Sequence, residues 1–422
     1  MRKNINKIVA FAIGISIMSG SIMPAFATDT TQNDSTANVQ TNNIQANTNQ
    51  KAVLTLDEAI KSAISNSETL ALDEINISYI DKTNDIKEDQ DDFNNVKDDV
   101  DDYHKDTADV NLKKAQQQRD FDQDLLTQTV TKKYNDIVTN QMKINNAAKD
   151  LEVKSKQLED MKLRQSLGIK TAIDLKSAQL DIEKLQNSQE SSENALKDLQ
   201  YSFKVLTGKD LAQYSLEQDV NFEPLKIDGS IDEYLDNTID SYLKYSEQLL
   251  KLNKDYYNDS DNKITAADVD DAKNISDNAV KPTFDPVNDT VETYTNKNNK
   301  YQADKNAYTN AVSARLAYLG NKLSIDKDQT SLNKNKKDYK DQLKTCYTNL
   351  RTSEDKINAY KKNIEIVNEK LSNYKLQYDL GMITETIYNG YVVSSMQDDI
   401  DLRNEVINYN NLKEKLQKPW IV

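Results

Sequence analysis

Few residues in this chain could carry out bond chemistry. His104 is the only histidine and Cys346 the only cysteine. A single histidine excludes multi-histidine zinc sites, and His104 sits in an acidic run that reads as solvated. A single cysteine excludes an internal disulfide and any Cys-based metal cluster. The sequence holds no glycine-rich phosphate loop ending in Gly-Lys-Ser/Thr, so any energy source lies in another chain. Asp259, Asp261 and Asp268 fall on ligand positions of an EF-hand-like loop, with Ile264 at its apolar position. However, Tyr257 occupies the first ligand position and Asn262 the obligatory turn glycine, which makes the calcium reading weak. The run Asp98-Asp99-Val100-Asp101-Asp102 reads as a solvated helix face or a frayed connection. No constellation supports an enzyme, and no cofactor or resident metal is expected. A net charge of −15 argues against nucleic acid as a partner.

The informative residues are two turns. Leu167-Gly168-Ile169 and Leu380-Gly381-Met382 lie 213 residues apart, each with a Leu five before the Gly and a Thr three after it. Each follows a heptad stripe: Ile144, Leu151 and Leu158 in the first copy, and Ile357, Ile364 and Leu371 in the second. Tyr360, Val367 and Tyr374 add the second heptad position, where the first copy has Ala147, Lys154 and Met161. Asn145/Asn358, Lys149/Lys362, Glu152/Glu365 and Lys162/Lys375 are identities at the same offset. Such spacing is a coiled-coil seam, and its alignment with the turn indicates an internal duplication. A helix that folds back needs a residue tolerant of positive φ at the bend, hence Gly168 and Gly381.

The elements that position these turns are therefore long helices. From Ala25 to Leu167 there is no Gly or Pro, and apolar content is 37% against 29% charged. The expected fold is all-α, with long antiparallel helical hairpins in two tandem repeats of α-barrel or coiled-coil type. Continuous helix is expected from about Ala108 to Leu167. Residues 1–27 read as a signal peptide, with Arg2, Lys3 and Lys7 before an apolar run and Ala25-Phe26-Ala27 at the cleavage site. Residues 28–51 form a Thr/Asn/Gln-rich disordered leader. The first repeat spans 52–213 and opens on the capping box Thr55–Glu58. A linker covers 214–229. The second repeat spans 230–422, opens on Ser230–Glu233 and contains an irregular insertion at 258–300.

With these residues in view, the chain resembles the TolC family of outer-membrane efflux channels. The similarity rests on "LTLDEAIKSAISNS", on "GIKTAIDLKSAQLDIEKLQ" followed by "LTGKDL", and on "INAYKKNIEIVNEKLSNYKLQYDLG". It covers roughly residues 54–417, with gaps, and its most specific feature is the two-copy arrangement. The resemblance implies a homotrimer whose hairpins form a hollow α-barrel. Its tips, Leu167, Gly168, Ile169, Leu380, Gly381 and Met382, would dock a membrane-fusion-type adaptor that serves an inner-membrane transporter. It also implies tip closure through Asp174 and Tyr378.

The chain departs from the family pattern at Ile383, Ile387 and Gly390, where the family carries charged residues. It departs again where membrane strands should lie. Neither Glu88–Asp106 nor Asn258–Lys300 shows the alternation of ~9–11 residues that a spanning strand needs, so the β-barrel strands are expected to be absent or vestigial. The signal segment implies export to the cell envelope. That means the outer membrane where the organism has one, and otherwise the cell wall or extracellular space. The other reading is a non-conducting, exported coiled-coil structural or interaction protein.

Overall fold

The computed structural model describes residues 51–421. The signal segment 1–27 and all of the leader except Lys51 lie outside the described residues. Eight helices dominate: α1 Leu56–Ser65, α2 Glu68–Phe93, α3 Asp98–Ser166, α4 Ala172–Thr207, α5 Ile231–Asn258, α6 Ala266–Asp277, α7 Val291–Asp379 and α8 Glu385–Gln417. Among the described residues the only strands are β1 Ala52–Leu54 and β2 Tyr214–Leu216, paired in parallel with Ala52 opposite Tyr214. No barrel strand is present among them, and no helix there is long and apolar enough to cross a membrane.

The chain divides into two compact units. The larger comprises Lys51–Tyr256 and Ile325–Val422. Within it, α2 and α3 form one antiparallel pair, tied by Glu74–Arg119, by the Asn84 amide on the Ala108 carbonyl (3.3 Å) and by Glu88–Lys105 (3.0 Å). α3 and α4 form a second pair and α7 and α8 a third.

The core repeats with the period read from the sequence. Val130, Ile137, Ile144, Leu196 and Phe203 are buried in the first half. Leu343, Leu350, Ile357, Tyr409 and Leu416, each 213 residues later, are buried in the second. One heptad thus fills the same place in each half, against the returning helix. This is what ridges at i and i+7 produce in near-antiparallel packing.

The smaller unit is built on α6 and the first part of α7, up to Ser324. The Ser276 hydroxyl donates to the Lys305 carbonyl (2.8 Å), and Lys305 donates back to the Ser276 carbonyl (3.0 Å). Arg315 donates to the Ile264 carbonyl, and the Asn321 amide to the Tyr257 hydroxyl (2.7 Å). Ala307 and Ala311 are buried here.

Three expectations need correction. The stretch 258–300 is not irregular throughout: Ala266–Asp277 is helical behind a Thr265–Asp268 capping box, and α7 already begins at Val291. α3 begins ten residues before Ala108, so the acidic run is its first turn. Carboxylates there face the positive end of the helix dipole, so a lack of apolar periodicity does not prevent helix formation. The Ser230–Glu233 box is half-formed: the Ser230 hydroxyl accepts from the Glu233 amide (3.2 Å). The Thr55–Glu58 box is complete.

Candidate functional site

The two glycine turns have the same internal geometry. Gly168 sits at φ +74° and Gly381 at +71°, and a Cβ at either would meet nothing within 4 Å. Space is therefore not the reason for glycine. The left-handed backbone is, since it strains any L side chain.

In the first turn the Gly168 amide donates to the Gln165 carbonyl (2.9 Å) and the Ile169 amide to the Arg164 carbonyl (2.9 Å). In the second, Gly381 donates to Tyr378 (2.9 Å) and Met382 to Gln377 (2.8 Å). Both are Schellman caps, which use otherwise orphaned carbonyls at a helix end. The motif favours an apolar residue one position before its first accepting carbonyl. Leu163 and Leu376 occupy that place, which explains the Leu five residues before each Gly.

The returning helices also start alike. The Thr171 hydroxyl accepts from the Asp174 amide (3.1 Å), and Thr384 from the Ile387 amide (3.3 Å). Asp174 completes a capping box by accepting from the Thr171 amide (3.0 Å). These bonds hold its carboxyl below the usual carboxylate range. Within the chain, then, Asp174 starts α4.

Tyr378 lies against Tyr388 at 5.5 Å, and Tyr374 stacks on Tyr391 at 3.6 Å. Lys375 pairs with Asp379 (2.5 Å) and sits over both Tyr378 and Tyr388. The second tip is thus tied by aromatic stacking, which the first lacks.

The α3–α8 contact places both tips at one end of the larger unit. Lys418 meets Asp124 (2.8 Å), Arg403 meets Thr139 (3.2 Å), Asn146 meets Gln397 (3.3 Å) and Lys156 meets Glu385 (3.1 Å). Extending that register leaves Gly381 about eight residues short of Gly168 along α3, a stagger of ~12 Å at 1.5 Å per residue. Leu167, Ile169, Leu380 and Met382 are 65–70% exposed. The arrangement offers fixed apolar knobs on rigid helix ends, suited to recognition.

Sequence reasoning missed the residues that hold these helices in register. The linker lies as a strap bonded by side chains of α3 and α8. The Tyr134 hydroxyl accepts from the Glu217 amide (2.8 Å) and donates to the Leu54 carbonyl (2.7 Å), tying the linker to β1. Arg403 donates to the Gln218 carbonyl and to Asn135 Oδ1 (3.0 Å). Asn410 reaches the Asn221 carbonyl (2.9 Å), and the Tyr409 hydroxyl accepts from the Leu225 amide (2.7 Å). Burial pulls the Arg403 guanidinium below its ordinary value. Its signal in the sequence was its place on the stripe with Ile400 and Val406.

The calcium positions do not assemble. Asp268 Oδ2 accepts from the Thr265 amide (2.7 Å) and hydroxyl (2.8 Å), as a helix cap. Among the described residues no group of three His, Cys, Asp or Glu side chains could hold a metal ion.

No family model matches the sequence, and no curated protein matches it. Solved structures do share its fold. CusC, described in terms of conformational changes accompanying folding and transmembrane channel formation, superposes with a TM-score of 0.53 at 11% identity, over 86% of this chain and 91% of that one. The outer-membrane channel OprN gives 0.53 at 11% identity, over 87% and 91%. At these identities the likeness is one of fold.

Proposed function

We propose that this chain is an efflux or export conduit component of the TolC type. Copies would close into an α-helical tube, and the two glycine tips would dock an adaptor that hands over material from a transporter. The carrying observation is the pair of equivalent Schellman tips at one end of the larger unit, each with exposed apolar residues on a rigid, capped hairpin. Fold likeness to CusC and OprN supports a channel-type protein. The chain itself is passive in this reading, with energy supplied by the transporter.

The test is binding of a helical-hairpin adaptor encoded in the same genome to the wild type and to a Leu167→Glu/Leu380→Glu variant. Both leucines are exposed, so the fold tolerates the change while the docking surface does not. Affinity should drop by at least about tenfold, the equivalent of ~1.4 kcal/mol. Undiminished binding removes the docking role.

The paucity of strand among the described residues favours a second reading, a rod that keeps the tips and conducts nothing. Imaging the assembly separates the two: an open axial channel supports the conduit, and a filled bundle supports the rod.

A further inference from the structure

One helix carries two apolar stripes and covers only one of them. Leu70 of α2 is buried, and Ile77 and Ile80 are partly buried. On other positions of the same helix Leu72, Ile75, Tyr79 and Ile86 are each 65–66% exposed, and Phe93 continues the row. Leu72, Tyr79, Ile86 and Phe93 recur every seven residues. That is a coiled-coil seam without a partner helix.

The smaller unit carries a second bare seam. Leu316, Leu319 and Leu323 of α7 are exposed at a/d spacing, beside Gly320, where a Cβ would meet open space. Glycine inside an exposed helix is less favourable than alanine, and it permits close approach of another helix.

The two helical segments that carry these stripes are oppositely charged. α2 holds nine carboxylates and two lysines. Residues 300–323 hold Lys300, Lys305, Arg315 and Lys322 against Asp304 alone. Lys305 and Arg315 bond to backbone carbonyls and Lys322 to the Asn258 side-chain oxygen (2.6 Å), so these three retain their charge. Two α2 helices would repel one another, whereas α2 and the 300–323 segment attract.

We infer that the α2 stripe of one copy of this chain packs on the Leu316–Leu323 stripe of a second copy, forming a heterologous, charge-sorted helical seam. A heterologous seam repeats from copy to copy and closes a ring where the rotation allows. The inference deepens the conduit reading, because it names the surface by which the copies would close, and it assigns closure to helices alone. Docking at the tips forms no part of it.

The experiment uses the mature chain in detergent-free buffer. Mass is measured by sedimentation, and copies are cross-linked through Tyr79→Cys and Leu319→Cys on a Cys346→Ser background. The wild type should be multi-copy. Leu72→Glu/Tyr79→Glu and Leu316→Glu/Leu323→Glu should each weaken association by at least about tenfold. Salt raised from about 0.05 M to about 0.5 M should weaken it too, because the charged flanks are screened. With a mild oxidant such as copper–phenanthroline to take up the two electrons, the Tyr79→Cys and Leu319→Cys thiols should form a disulfide between copies.

If the wild type assembles, the α2 variant keeps its mass and no cross-link forms, the seam is wrong while the conduit reading stands. If the wild type is a single copy throughout, both readings fall. If Leu167→Glu/Leu380→Glu loses adaptor binding but keeps its mass, docking and assembly are separate, as inferred here.

Discussion

Asp73 sits in an environment that conflicts with its charge. Its Oδ2 is buried with no hydrogen-bond donor in reach. Burial raises its carboxyl above the ordinary range, and Asp122 on α3 raises it further, while Arg119 acts in the opposite direction. The folded chain therefore keeps a proton on Asp73 at pH values where the unfolded chain has lost it. Stability falls as pH rises from the unfolded carboxyl's titration range through the elevated folded value, and it stays lower above that. Asp73→Asn removes this loss, because an amide does not titrate. The variant should unfold at a higher urea midpoint than the wild type above that window, with a flatter dependence on pH. A lower midpoint at neutral pH would show that burial does not disfavour the Asp73 carboxylate.

At the scale of the element, three glycines separate backbone need from space. Gly168 and Gly381 lie at positive φ, whereas Gly390 lies inside α8, and a Cβ at any of the three meets nothing within 4 Å. Alanine at Gly168 or Gly381 should cost about 1 kcal/mol and speed amide exchange at Ile169 or Met382. Alanine at Gly390 should stabilise the isolated chain by about 0.5–1 kcal/mol. Equal effects of one sign at all three positions would refute the distinction. These turns were legible in the sequence because glycine, the preceding Leu and the following Thr each have a local job: bend, cap contact and N-cap. The heptads were legible in part: Ile144 and Ile357 enter the two cores, whereas Leu151, Leu158, Ile364 and Leu371 nearer the tips are only half-buried. The strap was not, since Arg403, Tyr134 and Tyr409 bond backbone groups more than 80 residues away, and no local pattern encodes such partners. The α6 helix was missed because its buried set is empty and only its cap marks it.

At the scale of the whole molecule, the larger unit holds two cores with no residue in common, one in each half. The ties across α3–α8 are mostly polar, with Arg403 at the centre and Trp420 at the end, its ring nitrogen donating to Asp124 (3.1 Å) and its ring stacked on Phe121 at 4.2 Å. The chain has two unique reporters for this arrangement. Trp420 is the only tryptophan and reads the seating of the terminus on α3. Cys346 is the only cysteine and packs against the second core. If the polar ties make one cooperative body of the two cores, Trp420 emission and Cys346 labelling should share a urea midpoint in the wild type. Arg403→Met leaves Asn135 Oδ1, Thr139 and the Gln218 carbonyl without their donor, at a cost of about 2–4 kcal/mol. That loss falls on the joint between the cores and not inside either one. The Trp420 transition should therefore move to lower urea, ahead of Cys346 exposure. Midpoints already separate in the wild type would mean that each half folds alone and that the strap holds nothing together.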